Sequence, residues 1–253
     1  MNEDKMFHIG IRRDTRIEYA VLPGDPGRVD KIAAHLKEPV FLAENREFRS
    51  AAGRIGNTRV IITSTGIGGP SAAIALEELA ACGVRTAIRV GTCGAIQQKI
   101  IPGDLIIPVA AVRMEGTSRE YAPIEYPAAA DLDVTIALKK ACDRMDASYH
   151  TGVVQSKDSF YGQHSPGRMP VSYELENKWE AWKRLGVLAS EMETAALFTV
   201  SGTLGIRCGC ILHALWNQER KKAGFVDKDS FDTDIAIRAA LSAICELSGE
   251  NNE

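Results

Sequence analysis

Apolar and polar positions along this chain alternate between two rhythms. Short runs rich in β-branched residues, at 19–23, 59–65, 86–90 and 104–112, read as strands. Stretches with apolar residues at helical spacing follow, at 71–82, 132–145 and 174–185. Pro70 stands near the first turn of the 71–82 segment, and Gly83 stops it. Further on, 152–157 is extended, 187–189 and the near-continuous apolar 206–215 are strands, and 194–204 and 229–247 are helices. Apolar strands separated by helices imply a mostly parallel sheet covered on both faces. Ligands of such sheets gather beyond the carboxyl ends of the strands, so the chemistry is sought in the residues that follow each strand.

Composition narrows this picture. The chain has 253 residues, 45% hydrophobic and 25% charged, which suits one large α/β domain over residues 1–253. A net charge of −3 argues against a broad nucleic-acid footprint. No apolar run is long enough to span a bilayer. The opening MNEDKMFHIG is acidic and lacks an apolar signal core, so a cytoplasmic location is expected. Cysteines at 82, 93, 142, 208, 210 and 245 have no zinc-ligand spacing and no CxxC pair, and read as reduced small hydrophobes.

Gly24-Asp25-Pro26-Gly27-Arg28 follows the first strand. Its glycines permit tight turns that face N–H groups to an anion, and Arg28 adds a positive charge. A plain turn with a solvated Arg fits equally. Thr65-Gly66-Ile67-Gly68-Gly69-Pro70-Ser71 is either an anion cradle at a helix start or a glycine turn for close packing. A dinucleotide fingerprint would need an acid at the end of the next strand, and Arg89 stands near that place instead.

Arg89 is the most informative residue. It lies in a strand that should be buried, so its guanidinium needs a structural carboxylate or a bound anion. Gly91-Thr92-Cys93-Gly94, read as a turn, adds N–H groups and a hydroxyl that suit phosphate. In Ser190-Glu191-Met192-Glu193 the acids either complement a helix dipole or grip ribose hydroxyls. The two glutamates are not expected to flank one bond as in a two-carboxylate glycosidase. After Lys157, Phe160 can stack on a planar ring and Gln163 can pair with an amide-like edge, or the aromatic merely packs. Residues 216–224 form either a mobile lid or a solvated surface loop.

Together these segments resemble the nucleoside phosphorylase family, nearest its uridine phosphorylase branch. The resemblance runs from Phe7-His8-Ile9-Gly10 to about Arg220. It is carried by Leu22-Pro23-Gly24-Asp25-Pro26, by 64–71, by Arg89-Val90-Gly91-Thr92-Cys93-Gly94 and by Glu191-Met192-Glu193. Each is modest alone, while their order and spacing are specific. The resemblance implies a single three-layer α/β/α domain around a central mixed, largely parallel sheet. It implies a phosphate site of Gly24, Arg28, Arg89 and Thr92, completed by Arg46 of a neighbouring subunit. Ribose would be held by Glu193 and the backbone of Met192, with His8 reaching in from the same neighbour. That sharing implies a homodimer at least, and in this family usually a hexamer of three dimers. Glu47, Ile67 and Ser71 match positions that hold a monovalent cation, potassium, at the dimer interface. Phe160 and Gln163 match the base pocket, and Leu215 and Trp216 the residues packed against the base.

Two departures bear on the base. Better-known members of that branch carry an Arg two residues after the pocket Gln. Here Ser165 stands there, and Arg168 would reach the same place through a differently shaped loop. Cys93 replaces the branch's hydroxyl residue and resembles the bacterial purine branch. Purine members, however, carry a Ser-Asp pair after the last core strand, and His213-Ala214-Leu215-Trp216-Asn217 has no Asp. The expected activity is therefore phosphorolysis of uridine to uracil and ribose 1-phosphate, with inorganic phosphate as co-substrate and no organic cofactor. Gln163, with Arg168, would stabilise the departing uracil. The rivals are a purine phosphorylase or nucleosidase on the same scaffold, and a non-catalytic nucleoside-binding protein.

Overall fold

In the computed structural model, which describes residues 4–249, the first strand β1 (Tyr19–Pro23) sits near the middle of a ten-stranded sheet. Parts of the opening decapeptide and of the 1–253 domain assignment lie outside the described residues. β1 pairs in parallel with β4 (Thr58–Thr63) on one side and β5 (Thr86–Ala95) on the other. β3 (Phe48–Ile55) and β2 (Lys37–Asn45) extend the sheet antiparallel beyond β4. β10 (Arg207–Asn217) runs parallel along the full length of β5. β10 also pairs with β6 (Leu105–Met114), β6 with β8 (Tyr149–Lys157), and β8 with β9 (Ala189–Glu191). β9 returns to the end of β5, so these five strands close into a ring. A two-residue β7 (Ala128–Ala129) pairs with β6.

Helices cover both faces, because successive strand residues point to opposite sides. Leu22 and Ala87 join the buried cluster with α2 (Gly69–Ala81) and α7 (Thr194–Leu204). Val21 and Ile88 join the other cluster, with α1 (Pro26–Ala33), α4 (Leu132–Arg144) and α9 (Asp234–Leu247). Shorter helices are α3 (Thr117–Tyr121), α5 (Phe160–His164) and α8 (Gln218–Lys222), and α6 (Ser172–Arg184) packs outside the ring. Among the described residues no helix is long and apolar enough to cross a membrane.

The differences from the sequence reading have local causes. β2 is an exposed edge strand interrupted by Pro39, so it carries no core periodicity. The segment 24–28 is a helix start rather than a turn, with Asp25 capping Gly27 N–H at 2.9 Å. Residues 91–94 are not a turn, because β10 pairs with β5 as far as Ala95. The last helix starts at Asp234 and not at 229, since Ser230 N–H is tied to Leu215 O at 2.9 Å. The predicted lid contains α8, which Arg220 fastens through Asp227 at 2.6 Å and Gln98 O at 2.9 Å.

Candidate active site

Strand register creates the site. β1 ends at Pro23, opposite Val90, while β9 meets β5 only at Gly94 and Ala95. Among the described residues, 91–93 have no strand partner on that side, and a cavity of about 640 Å³ opens there. It is the place where strand neighbours change, as expected for ligands of open α/β sheets.

Arg89 enters it from the centre of β5, 3% exposed. Its Nη2 lies 2.5 Å from Glu193 Oε2 and its Nε 3.3 Å from Glu191 Oε2. Its Nη1 has no hydrogen-bond partner among the described residues. Burial works against its charge, but Glu193 and then Glu191 outweigh it, so the Arg89 pKa is raised. The other oxygen of Glu193 accepts Gly68 N–H at 2.6 Å, at the head of α2. The anion in the 65–71 glycine segment is thus the protein's own carboxylate. Burial pushes the Glu193 carboxyl up, with Arg89 pulling the other way. Glu191 accepts N–H bonds from Glu193 and Thr194, each at 2.9 Å, and so caps α7. The two glutamates therefore converge on Arg89. β9 ends at Glu191, and Glu193, at φ −134° and ψ −22°, is the N-cap residue of α7.

Arg28 reaches the same cavity from the first turn of α1, and its Nη1 donates to Val90 O at 3.2 Å. Burial, then the charge of Arg89, lowers its pKa. Arg28 has no ion pair among the described residues. Two guanidinium groups thus share one cavity with one of them uncompensated, which favours a bound anion. Gly91 is what lets Arg89 fold over the strand: a Cβ there would stand 2.8 Å from Arg89 Nη2 and 2.7 Å from Leu212 Cδ2. Gly66, at φ +65°, similarly makes room for Glu47, whose Cγ would lie 2.6 Å from an added Cβ.

The far end of the cavity is aromatic. A β-bulge between Ala214 and Trp216 re-aims the end of β10, and both Leu215 and Trp216 line the wall. His164 stacks at 4.3 Å on Phe160 and meets Trp216 at 5.7 Å. Lys157, 5% exposed, ends β8 beside them and donates to Ser190 Oγ at 2.8 Å. Burial lowers its pKa to about 8, against the pull of Glu191 and Glu193. Burial and the charge of Lys157 also lower the pKa of His164. Lys157 and His164 form the wall shared with a second cavity of about 670 Å³ under α6.

Of the residues singled out from sequence, Gly24, Arg28, Arg89, Thr92, Met192, Glu193, Phe160, Leu215 and Trp216 line the first cavity. Glu47 and Ile67 lie at its mouth, and Ser71 donates to Glu47 Oε1 at 2.7 Å. His8 and Arg46 do not line their own chain's cavity. Arg46 occupies the exposed β2–β3 turn at φ +55°, and His8 is held by Glu78 Oε1 at 2.8 Å. Gln163 lines the second cavity and reaches the first through Ser190, whose hydroxyl it accepts at 2.6 Å. Arg168 is exposed and lies 5.0 Å over the Tyr161 ring, away from both cavities. Sequence reasoning missed Lys157 and His164. The strand that ends at Lys157 reads YHTGVVQSK, too polar to mark a buried lysine.

Residues 18–247 match the model of a family described as the phosphorylase superfamily. A uridine phosphorylase of Treponema pallidum is 47% identical over 95% of this chain and 93% of its own length. A uridine phosphorylase of Escherichia coli is 41% identical over 88% of this chain and 90% of its own. A guanosine phosphorylase of Halorubrum lacusprofundi is 36% identical over 96% and 99%.

Proposed function

The chain belongs to the phosphorylase superfamily, and from that premise we propose that it splits uridine with inorganic phosphate into uracil and ribose 1-phosphate. The observation that carries this reading is the Arg28–Arg89 pair, two cations on one cavity beside a buried carboxylate and an aromatic wall. Gly24, Arg28, Arg89 and Thr92 bind phosphate, and Arg46 of a neighbouring copy completes the set. Glu193 and the Met192 backbone hold the ribose, with His8 of that neighbour at its 5′ end. Phe160, Leu215 and Trp216 enclose the base.

Phosphate lies on the α face of the ribose. As the C1′–N1 bond breaks, its electrons pass to the base, and the sugar becomes oxocarbenium-like. The phosphate dianion stabilises that charge and bonds to C1′. Lys157, whose ammonium faces the aromatic end of the cavity, opposes the negative charge on the leaving uracil. In this chain it takes the place that the sequence assigned to Arg168, and Gln163 acts through Ser190. Catalysis consists of positioning and electrostatics.

The placement of an exposed Arg46 and a half-buried His8 off their own cavity supports a homodimer that shares its sites, and the family resemblance makes the assembly a hexamer. The Glu47–Ser71 pair beside Ile67 supports a potassium site at that interface. The setting is cytoplasmic pyrimidine salvage. The guanosine phosphorylase relative makes a purine the second reading. Asn217 stands against it, because both ends of its amide are spent on backbone: Nδ2 donates to Gln97 O and Ile100 O, and Oδ1 accepts from Glu219 and Arg220 N–H. It offers the purine ring nitrogen no proton. A panel of uridine, thymidine, inosine and adenosine, with and without phosphate, tests the reading. Cleavage should require phosphate and favour uridine over inosine. Phosphate-independent cleavage or an inosine preference would overturn it.

A further inference from the structure

Lys157, Ser190 and Gln163 form a chain of three residues and two hydrogen bonds across β8, β9 and α5. Lys157 Nζ donates to Ser190 Oγ at 2.8 Å, and Ser190 Oγ donates to Gln163 Oε1 at 2.6 Å. The hydrogen inventory fixes its direction. An ammonium has three hydrogens and accepts none, so Ser190 must be the acceptor toward Lys157. Its single hydrogen is then available only to an acceptor, which orients Gln163 with its oxygen inward. Ser190 is itself buried, 3% exposed, and its backbone is registered against Gly94 on one side and Gln155 on the other.

The ammonium needs such a tether because it is pulled elsewhere. Glu191 on β9 and Glu193 at the head of α7 both attract it, the buried Cys93 thiol on β5 stays uncharged, and His164 on α5 feels its charge from the other side. The two carboxylates already serve Arg89, the α7 N-terminus and Gly68. A flexible lysine stem that swung onto them would compete with Arg89 and strip the aromatic end of its cation. Gln163 adds a mechanical link, since the helix that carries it also carries Phe160 and His164.

We propose that Ser190 and Gln163 are positioning residues that hold Lys157 at the base end of the cavity and off the Glu191–Glu193 pair. The proposal rests on the uridine phosphorylase reading for its kinetic consequence but not for its structural one, so the two can be tested apart.

The test compares wild type, Ser190→Ala, Ser190→Thr and Gln163→Leu. The Lys157 titration is followed by NMR of ¹³Cε-labelled lysine, assigned with Lys157→Met, in protein without substrate. Release of the ammonium toward the carboxylates should raise the Lys157 pKa by about one unit in Ser190→Ala. Ser190→Thr, which keeps the hydroxyl, should restore the wild-type value. Gln163→Leu should give a smaller rise in the same direction. In turnover, kcat for uridine should fall about 10–100-fold in Ser190→Ala with KM for phosphate little changed, as expected for a misplaced catalytic group. 5-Fluorouridine, whose base leaves more readily, should lose less. An unmoved Lys157 titration in Ser190→Ala overturns the relay, whatever the kinetics. A moved titration in a protein that does not cleave uridine supports the relay and defeats the functional reading instead.

Discussion

Replacing Lys157 with methionine should make the protein more stable and a poorer catalyst. Burial holds the folded-state pKa of Lys157 at about 8, against an ordinary value of 10.5. At about 1.4 kcal/mol per pH unit, carrying that charge in the folded state costs about 3 kcal/mol at neutral pH. Methionine removes the cost and keeps the volume, but it also removes the bond to Ser190, worth about 1 kcal/mol. The net gain is about 2 kcal/mol, or about 4–8 °C in Tm for a chain of this size. The sign follows from proton binding. The unfolded chain keeps the lysine proton up to 10.5, and the folded one releases it near 8. The penalty is therefore complete below about 8 and fades as pH rises toward 10.5. At pH 10 about 1 kcal/mol of it remains, which the lost hydrogen bond cancels. Melting curves at pH 7 and pH 10 test this directly. An unchanged or lower Tm at pH 7, or an equal gain at both pH values, refutes the reasoning. Activity moves the other way, with kcat for uridine down about 100-fold. The wild type should lose rate as pH rises through about 8, and that limb should be absent from the variant.

Arg89→Ala and Arg28→Met separate a cation paired with two buried carboxylates from one whose protein partner is a backbone carbonyl. Arg89→Ala leaves Glu191 and Glu193 buried without their cation, so it should abolish phosphorolysis and destabilise by about 3–5 kcal/mol in urea unfolding. Arg28→Met breaks no ion pair, so it should raise KM for phosphate about 10-fold or more with little change in the urea midpoint. Near-wild-type uridine cleavage by Arg89→Ala would defeat the phosphate assignment. Gly91→Ala inserts a Cβ 2.8 Å from Arg89 Nη2, so steady-state kinetics should show a raised KM for phosphate and kcat/KM down about 100-fold. A silent Gly91→Ala would mean that Arg89 does not need its present pose.

The sequence by itself determined the alternation of strands and helices, because side-chain periodicity is set by local backbone geometry. It also placed Arg89, because a guanidinium in an apolar strand is costly unless something anionic meets it. The glycines after β1 and β4, the aromatic Phe160 and the absence of an acid at 217 were legible for the same local reasons. Tertiary structure alone decided which charges meet. Glu193 lies 104 residues from Arg89 and 125 from Gly68, and its carboxylate joins both. Glu191 ends β9 and Glu193 stands just before α7, and only the packing of that corner against β5 shows that both carboxylates reach Arg89. Arg168 and Gln163 were close in sequence to the base pocket, yet one lies over the exposed Tyr161 ring and the other accepts the Ser190 hydroxyl. Lys157 became visible only when the closing of the strand ring buried it beside Ser190 and Phe160. Burial and pairing across the sheet depend on residues distant in sequence, and no local pattern encodes that meeting.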